Sequence, residues 1–181
     1  MTQRVELAAV IDRLAVDALI TEYAVTVDDG DWDAYRQLFA PGGRADYRSA
    51  GGIEGEADEI ATWLAETMRM FPMRQHLITN RKLEFGTLDQ DVGDTAHVQA
   101  DYVNPMRFVE RADPAPRSEP STAPLPAPST APDFVCGGRY GFALLRTPSG
   151  WRLRQVVVTE KWRQVGGARE RSERRAAASD T

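Results

Sequence analysis

The sequence predicts an α+β fold: three N-terminal helices packed on a strongly curved, mostly antiparallel sheet. Two observations carry this. Helical periodicity is confined to the chain before Pro72, whereas the longer alternating segments follow it. The later segments are also joined in pairs, across G-T-L-D-Q-D-V-G-D and T-P-S-G, as hairpin neighbours are. A bent sheet closed by helices leaves a cone-shaped hollow, which suits a small molecule.

Taken in order, residues 5–28 read as a long amphipathic helix. Val10, Ile11, Leu14, Ala18 and Leu19 recur near the 3.6-residue period, with Asp12, Arg13 and Asp17 between them. Gly30 is placed to end the helix in the left-handed conformation. Asp31 then reads as the N-cap of a short helix over 32–39, from which Trp32, Leu38 and Phe39 pack back on the first. Pro41, Gly42 and Gly43 stop it. A strand over 44–49, a turn at Gly51–Gly52 and a third helix over 56–71 follow. Ile60, Trp63, Leu64, Thr67 and Met68 form the inner face of that third helix.

Strands are expected over 74–85 and 95–108. In the second, Ala96, Val98, Ala100, Tyr102 and Asn104 share one face, with His97, Gln99 and Asp101 on the solvent side. Residues 112–133 hold seven of the eleven prolines and have no apolar period. They read as an extended or disordered insertion at a hairpin tip. Strands over 134–146 and 151–165 complete a single domain spanning 5–165. The tail from Gly166 mixes four arginines with Glu, Ala and Ser, and reads as a frayed end.

Composition narrows the function. A chain of 181 residues with a net charge of −5 offers no basic field for nucleic acid or an anionic membrane. No apolar run approaches the ~20 residues needed to span a bilayer. The N-terminus lacks the apolar core of a signal peptide. Cys136 is the sole cysteine, so no intrachain disulfide forms, and a reducing cytoplasm is expected. A lone cysteine in a strand reads as a small buried hydrophobe. Two separated histidines, with no His-x-His and no cysteine pair, give no pattern for a metal, and no cofactor is expected.

The stretch from Tyr23 to Tyr47 draws attention because Asp28 and Asp29 sit where the first helix ends. A helix C-terminus carries partial negative charge, so a carboxylate there costs roughly 0.3–1 kcal/mol when exposed. Either the two acids solvate the turn, or one points inward. His76 lies in R-Q-H-L-I-T-N, where His76, Ile78 and Asn80 fall on one strand face. Tyr23 and Asp28 are five residues apart, ~140° on an ideal helix. Their convergence therefore needs the helix to end near Val27 or the pocket to be wide.

The run D-G-D-W-D-A-Y-R-Q-L-F-A-P-G-G-R-A-D-Y-R-S, with Q-H-L-I-T-N some thirty residues later, resembles the SnoaL-like branch of the NTF2-like superfamily. Within it the segments are most similar to scytalone dehydratases, and the ending G-W-R-L-R…K-W is similar too. The similarity covers roughly residues 7–165 without the proline-rich insertion. It implies that Asp28, Tyr47 and His76 are active-site positions. Three departures accompany it. Val27 stands in place of a catalytic tyrosine, Met106 in place of a second histidine, and Gly141 falls near an asparagine of that family. Bile-acid 7α-dehydratases are similar in another way, through a Tyr-x-x-x-x-Asp pattern, a histidine and a later arginine. That pattern implies Tyr23, Asp28, His76 and Arg139 here.

The implied reaction is elimination of water from a cyclic or polyketide-like hydroxy-carbonyl substrate. His76 would be base and acid, Asp28 its orienter, and Tyr23 and Tyr47 the donors to the developing oxyanion. Asn80, Tyr102, Asn104, Met106 and Arg139 would contact the substrate. A cyclase or a ketosteroid-type isomerase would use nearly the same parts, and a binding module without catalysis would use the cavity alone. By analogy with related proteins, a homo-oligomer, dimer or trimer, is also expected.

Overall fold

The computed structural model describes residues 2–109 and 130–166. The expected insertion over 112–133 falls outside them as far as residue 129, and so does the tail beyond Gly166. Helix α1 runs Thr2–Asp29 and α2 Trp32–Gln37, followed by strand β1, Phe39–Asp46. A 3-10 turn at Arg48–Ala50 leads to β2, Glu54–Glu56, and α3, Ala57–Thr67, and a second one covers Met68–Met70. Then come β3, Met73–Arg74, β4, Leu77–Phe85, β5, Thr95–Arg107, β6, Phe134–Thr147, and β7, Gly150–Val165.

The strands form one sheet in the order β2-β1-β7-β6-β5-β3, with β4 also paired to β5. Every pairing is antiparallel except β1 with β7, which is parallel. The expected α+β arrangement of three helices on a mostly antiparallel sheet is what the chain forms. The helices and the inner sheet face enclose one apolar core, with Ile20, Ile60, Ala96 and Leu153 fully buried.

Alternation along β5 is as the sequence indicates. Ala96, Val98, Ala100, Tyr102, Asn104 and Met106 are buried, while His97 and Gln99 are exposed. Asp31 caps α2 by accepting from the Ala34 amide at 2.9 Å. Gly30 ends α1 with φ +73°, as its placement suggests. The third helix is headed by a capping box, with the Glu59 carboxylate accepting from the Glu56 amide at 3.0 Å.

Four expectations need correction. First, the inner face of α1 is not the stripe the periodicity selects: Val10, Ile11 and Leu14 are 51%, 56% and 65% exposed. The buried line is Asp12, Val16, Ile20, Tyr23, Ala24 and Val27. Asp12 sets this rotation, because its carboxylate meets the Arg146 guanidinium at 2.7 Å and the Trp151 indole N–H at 3.0 Å. Second, Phe39 and the Pro41–Gly43 segment belong to β1 rather than to the end of α2. The bulge between Phe39 and Arg44, with Gly42 at φ +71°, absorbs the residues that break regular pairing. Third, the strand expected over 74–85 is split at Gln75–His76, where the His76 amide leaves the ladder for the Asp28 carboxylate. Fourth, Asp133 is not part of a structureless insertion. It donates its amide to the Met106 carbonyl at 3.1 Å and accepts from the Phe108 amide at 2.8 Å, closing the β5–β6 hairpin.

Candidate active site

Between α1, α3 and the inner sheet face lies a cavity of about 350 Å³. Its wall is largely aromatic and aliphatic, with Trp63, Phe71, Phe108 and Phe134 among the lining residues. Its polar groups are few: His76, the hydroxyls of Tyr23, Tyr47, Tyr102 and Tyr140, Thr67, Asn104, and a Glu160–Arg163 pair.

His76 is held from behind. Its Nδ1 lies 2.6 Å from Asp28 Oδ1, and its own backbone N–H donates to the same carboxylate at 2.9 Å. The imidazole is 8% exposed and the Asp28 side chain 22%. A carboxylate on Nδ1 fixes the tautomer with the proton there, which leaves the Nε2 lone pair for the cavity. The position of Asp28 at a helix end, unfavourable in isolation, is thus explained: the acid turns inward to two N–H donors, and Asp29 stays exposed.

Arg74 completes this end and was not anticipated. Its Nε donates to the Val27 carbonyl at 2.9 Å and its Nη1 to the Phe71 carbonyl at 3.1 Å. A cation on the last carbonyls of α1 offsets the negative helix end that Asp28 aggravates. The signal was an arginine two residues before the histidine, visible but without meaning until the strand met the helix.

The tyrosines form a buried chain. Tyr23 and Tyr47 share a short hydroxyl–hydroxyl bond, and Tyr35 adds a third hydroxyl 3.3 Å from Tyr47. Burial pushes all three phenols well above the ordinary tyrosine range, so they are neutral donors at physiological pH. Three hydroxyls carry three protons and the chain uses two. Tyr35 does not line the cavity, whereas Tyr23 and Tyr47 do. Either oxygen of each pair can be the donor; in the arrangement where Tyr35 donates to Tyr47, one proton of the Tyr23–Tyr47 pair is left for the hollow. Sequence reasoning missed Tyr35, which sits three residues after Trp32 and is fully buried.

Tyr23 and Asp28 thus need not touch. The helix ends at Asp29, and Tyr23 borders the cavity directly while Asp28 reaches it through His76. Tyr102, Asn104 and Met106 line the cavity.

Asn80 and Arg139 do not. Asn80 has φ +51° at an irregularity in the β4–β5 pairing, which breaks the alternation that would have placed it beside His76. It donates outward to Asp101 at 3.2 Å. Arg139 is exposed and grips the same carboxylate with Nε and Nη2 at 2.9 and 2.8 Å. Strand alternation around the buried Tyr140 forces Arg139 to the outer face. His97 is exposed, as read. Cys136 is a buried cavity-wall residue whose thiol burial pushes up to about 11, so it is no thiolate nucleophile at neutral pH.

Among the described residues no helix is long and apolar enough to cross a membrane, and no three His, Cys, Asp or Glu side chains are grouped to hold a metal.

Comparison with known proteins agrees with this architecture. The family model for a SnoaL-like domain matches residues 8–157. Uncharacterised proteins of Mycobacterium tuberculosis and Mycobacterium bovis are each 28% identical over 158 residues, covering 87% of this chain and 91% of theirs. A protein of Novosphingobium aromaticivorans, provisionally described as a scytalone dehydratase, superposes with a TM-score of 0.67 at 13% identity, covering 93% of each chain. A hexachlorocyclohexane dehydrochlorinase of Novosphingobium barchaimii superposes with a TM-score of 0.63 at 15% identity, covering 87% of this chain and 94% of that one. At such identities the superpositions speak for the fold.

Proposed function

The chain belongs to the SnoaL-like domain family, and from that premise we propose that it is a cofactor-independent lyase that eliminates water from a cyclic hydroxy-carbonyl compound. The observation that carries this reading is the His76–Asp28 pair, oriented by two hydrogen bonds at the wall of an apolar cavity. A pocket that only binds has no use for a histidine whose tautomer is fixed from outside the pocket.

The reaction follows from the parts. His76 Nε2 takes the proton α to the carbonyl, and the electron pair moves to give an enolate. A hydroxyl of the Tyr23–Tyr47 pair donates to the enolate oxygen. As the double bond forms, the C–O bond at the β carbon breaks, and the imidazolium returns its proton to the departing oxygen. Water leaves and the histidine ends neutral, as it began. Acid–base catalysis of this kind contributes ~10²–10⁴-fold, or about 3–5 kcal/mol. Exclusion of water by the aromatic wall strengthens each of these interactions.

The solved relatives named above are described as eliminating enzymes of two kinds, and this supports a lyase without choosing its leaving group. The test is a screen of cyclic β-hydroxy ketones for appearance of enone absorbance, with His76→Ala as the control. Full turnover by the variant on a substrate so found would sink the proposal. A cyclase or isomerase would use the same base and donors, and would be recognised by a product that retains the oxygen.

A further inference from the structure

Among the described residues, Asn104 holds the one buried cavity-wall oxygen without a hydrogen-bond partner. The residue is 5% exposed, and its Oδ1 is buried with no hydrogen-bond partner among the described residues. The other half of the amide has a neighbour, the Tyr140 hydroxyl, as its hydrogen-bonding contact. A buried acceptor without a donor is costly, and native structures rarely keep one unless something completes it.

Register shows what stands beside it. Arg74 is paired with Met106 and Leu77 with Val103, so His76 comes opposite Asn104 on the same run of β5. Both side chains line the cavity. Residues so opposed have Cβ atoms ~5 Å apart, close enough for one small group to touch both. Oδ1 itself is buried rather than open to the hollow, so reaching a ligand requires a turn about the terminal amide torsion, which is soft in asparagine.

We propose that Asn104 selects the leaving group: its Oδ1 accepts the O–H of the substrate's departing hydroxyl and holds that oxygen's lone pair toward His76 Nε2. This rests on the elimination reading and deepens it. The hydroxyl donates a hydrogen bond to Asn104 Oδ1 while still bound to carbon, and keeps its proton. When the C–O bond breaks, its electron pair stays on oxygen, the imidazolium N–H protonates it, and water departs. A halide has no proton to give Oδ1 and meets the oxygen's negative end instead. The site therefore favours loss of water over loss of hydrogen halide.

Binding of non-reacting probes tests this apart from turnover. The dissociation constants of 2-naphthol, 2-methoxynaphthalene and 2-chloronaphthalene are measured by calorimetry on the full chain, its Asn104→Leu variant and its Asn104→Asp variant. Expected in the unaltered chain is a preference for 2-naphthol of about tenfold or more, the equivalent of one hydrogen bond. In Asn104→Leu the preference should fall below about threefold, and Asn104→Asp, which keeps the acceptor, should retain it. A preference unchanged in Asn104→Leu, one lost in Asn104→Asp, or no binding of 2-naphthol at all would each overturn the proposal. The probes hold their substituents on aromatic carbons and cannot eliminate, so such a failure would leave the elimination reading to be judged on His76→Ala.

Discussion

Helix α1 carries two inward-turned carboxylates sixteen residues apart, ~24 Å along its axis, and they do different work. Asp12 is saturated. It meets Arg146 at 2.7 Å, accepts from Trp151 at 3.0 Å and from Gln90 at 3.0 Å, and borders no part of the cavity. Asp94 joins the same guanidinium at 3.0 Å. Asp28 is offered a single side chain, and that side chain is a histidine on the cavity wall. A permanent cation with several donors makes a fixed joint, whereas an imidazole with one face open makes a group that can take and return a proton. What separates structure from chemistry here is the partner, not the acid.

The sharpest way to break this contrast is to remove each partner. Arg146→Met strands two buried carboxylates and should cost about 3–5 kcal/mol of stability in denaturant unfolding. His76→Ala should lower turnover by ~10²–10⁴-fold with stability nearly unchanged. If the histidine variant instead unfolded as readily as the arginine variant, the pair at Asp28 would be a joint as well. Asp28→Asn acts through His76, at its ring and its backbone amide, so its loss of turnover should not exceed that of His76→Ala. Its nitrogen-15 spectrum should show a mixed imidazole tautomer where the unaltered chain shows one.

Smaller effects sharpen the same contrast. Tyr47→Phe deletes the central hydroxyl of the phenol chain and should slow turnover by about 10²-fold, the scale of one oxyanion donor. Tyr35→Phe removes only the outermost link and should cost less than about tenfold, a fraction of that donor. The last concerns acid. Burial pushes the Asp12 carboxyl up, but hydrogen bonds from Trp151, Arg146 and Gln90 together hold it below the ordinary carboxylate value. A carboxyl depressed by folding stabilises above its unfolded pKa of ~3.9 and loses that contribution as pH falls through its folded value. Melting temperature measured from about pH 6 to 2 should therefore fall less steeply in Asp12→Asn than in the unaltered chain.

Much of this was legible in the sequence where a local rule governs. The alternation of β5, the Asp31 cap and the Gly30 stop all follow from short-range geometry, and the resemblance pointed to His76, Tyr23 and Tyr47, which share one cavity, and to Asp28 behind His76. The rotation of α1 was not legible. Val10, Ile11 and Leu14 make the better apolar stripe, yet Asp12 points inward because Arg146 and Trp151, more than 130 residues later, wait for it. Asn80 was misplaced because one left-handed residue shifts a strand's faces, and a period of two cannot show where that happens. Arg139 was placed by resemblance, against the alternation that buries its neighbour Tyr140. Tyr35 was invisible as a site residue because its hydroxyl gains meaning only beside Tyr47.

One junction has a mechanical consequence. Asp28 grips both the ring and the backbone of His76, and Arg74, two residues earlier at the end of β3, grips the carbonyl of Val27. Helix end and strand start are therefore riveted on either side of the dyad. If α1 slides or tilts against the sheet as the cavity fills, acid and imidazole travel together, and the distance between them is insulated from the motion. The same rivets make the dyad a poor sensor. A ligand can reshape the aromatic wall without retuning the histidine, so the chemical step should tolerate substrates of varied outline provided the reacting carbon reaches Nε2.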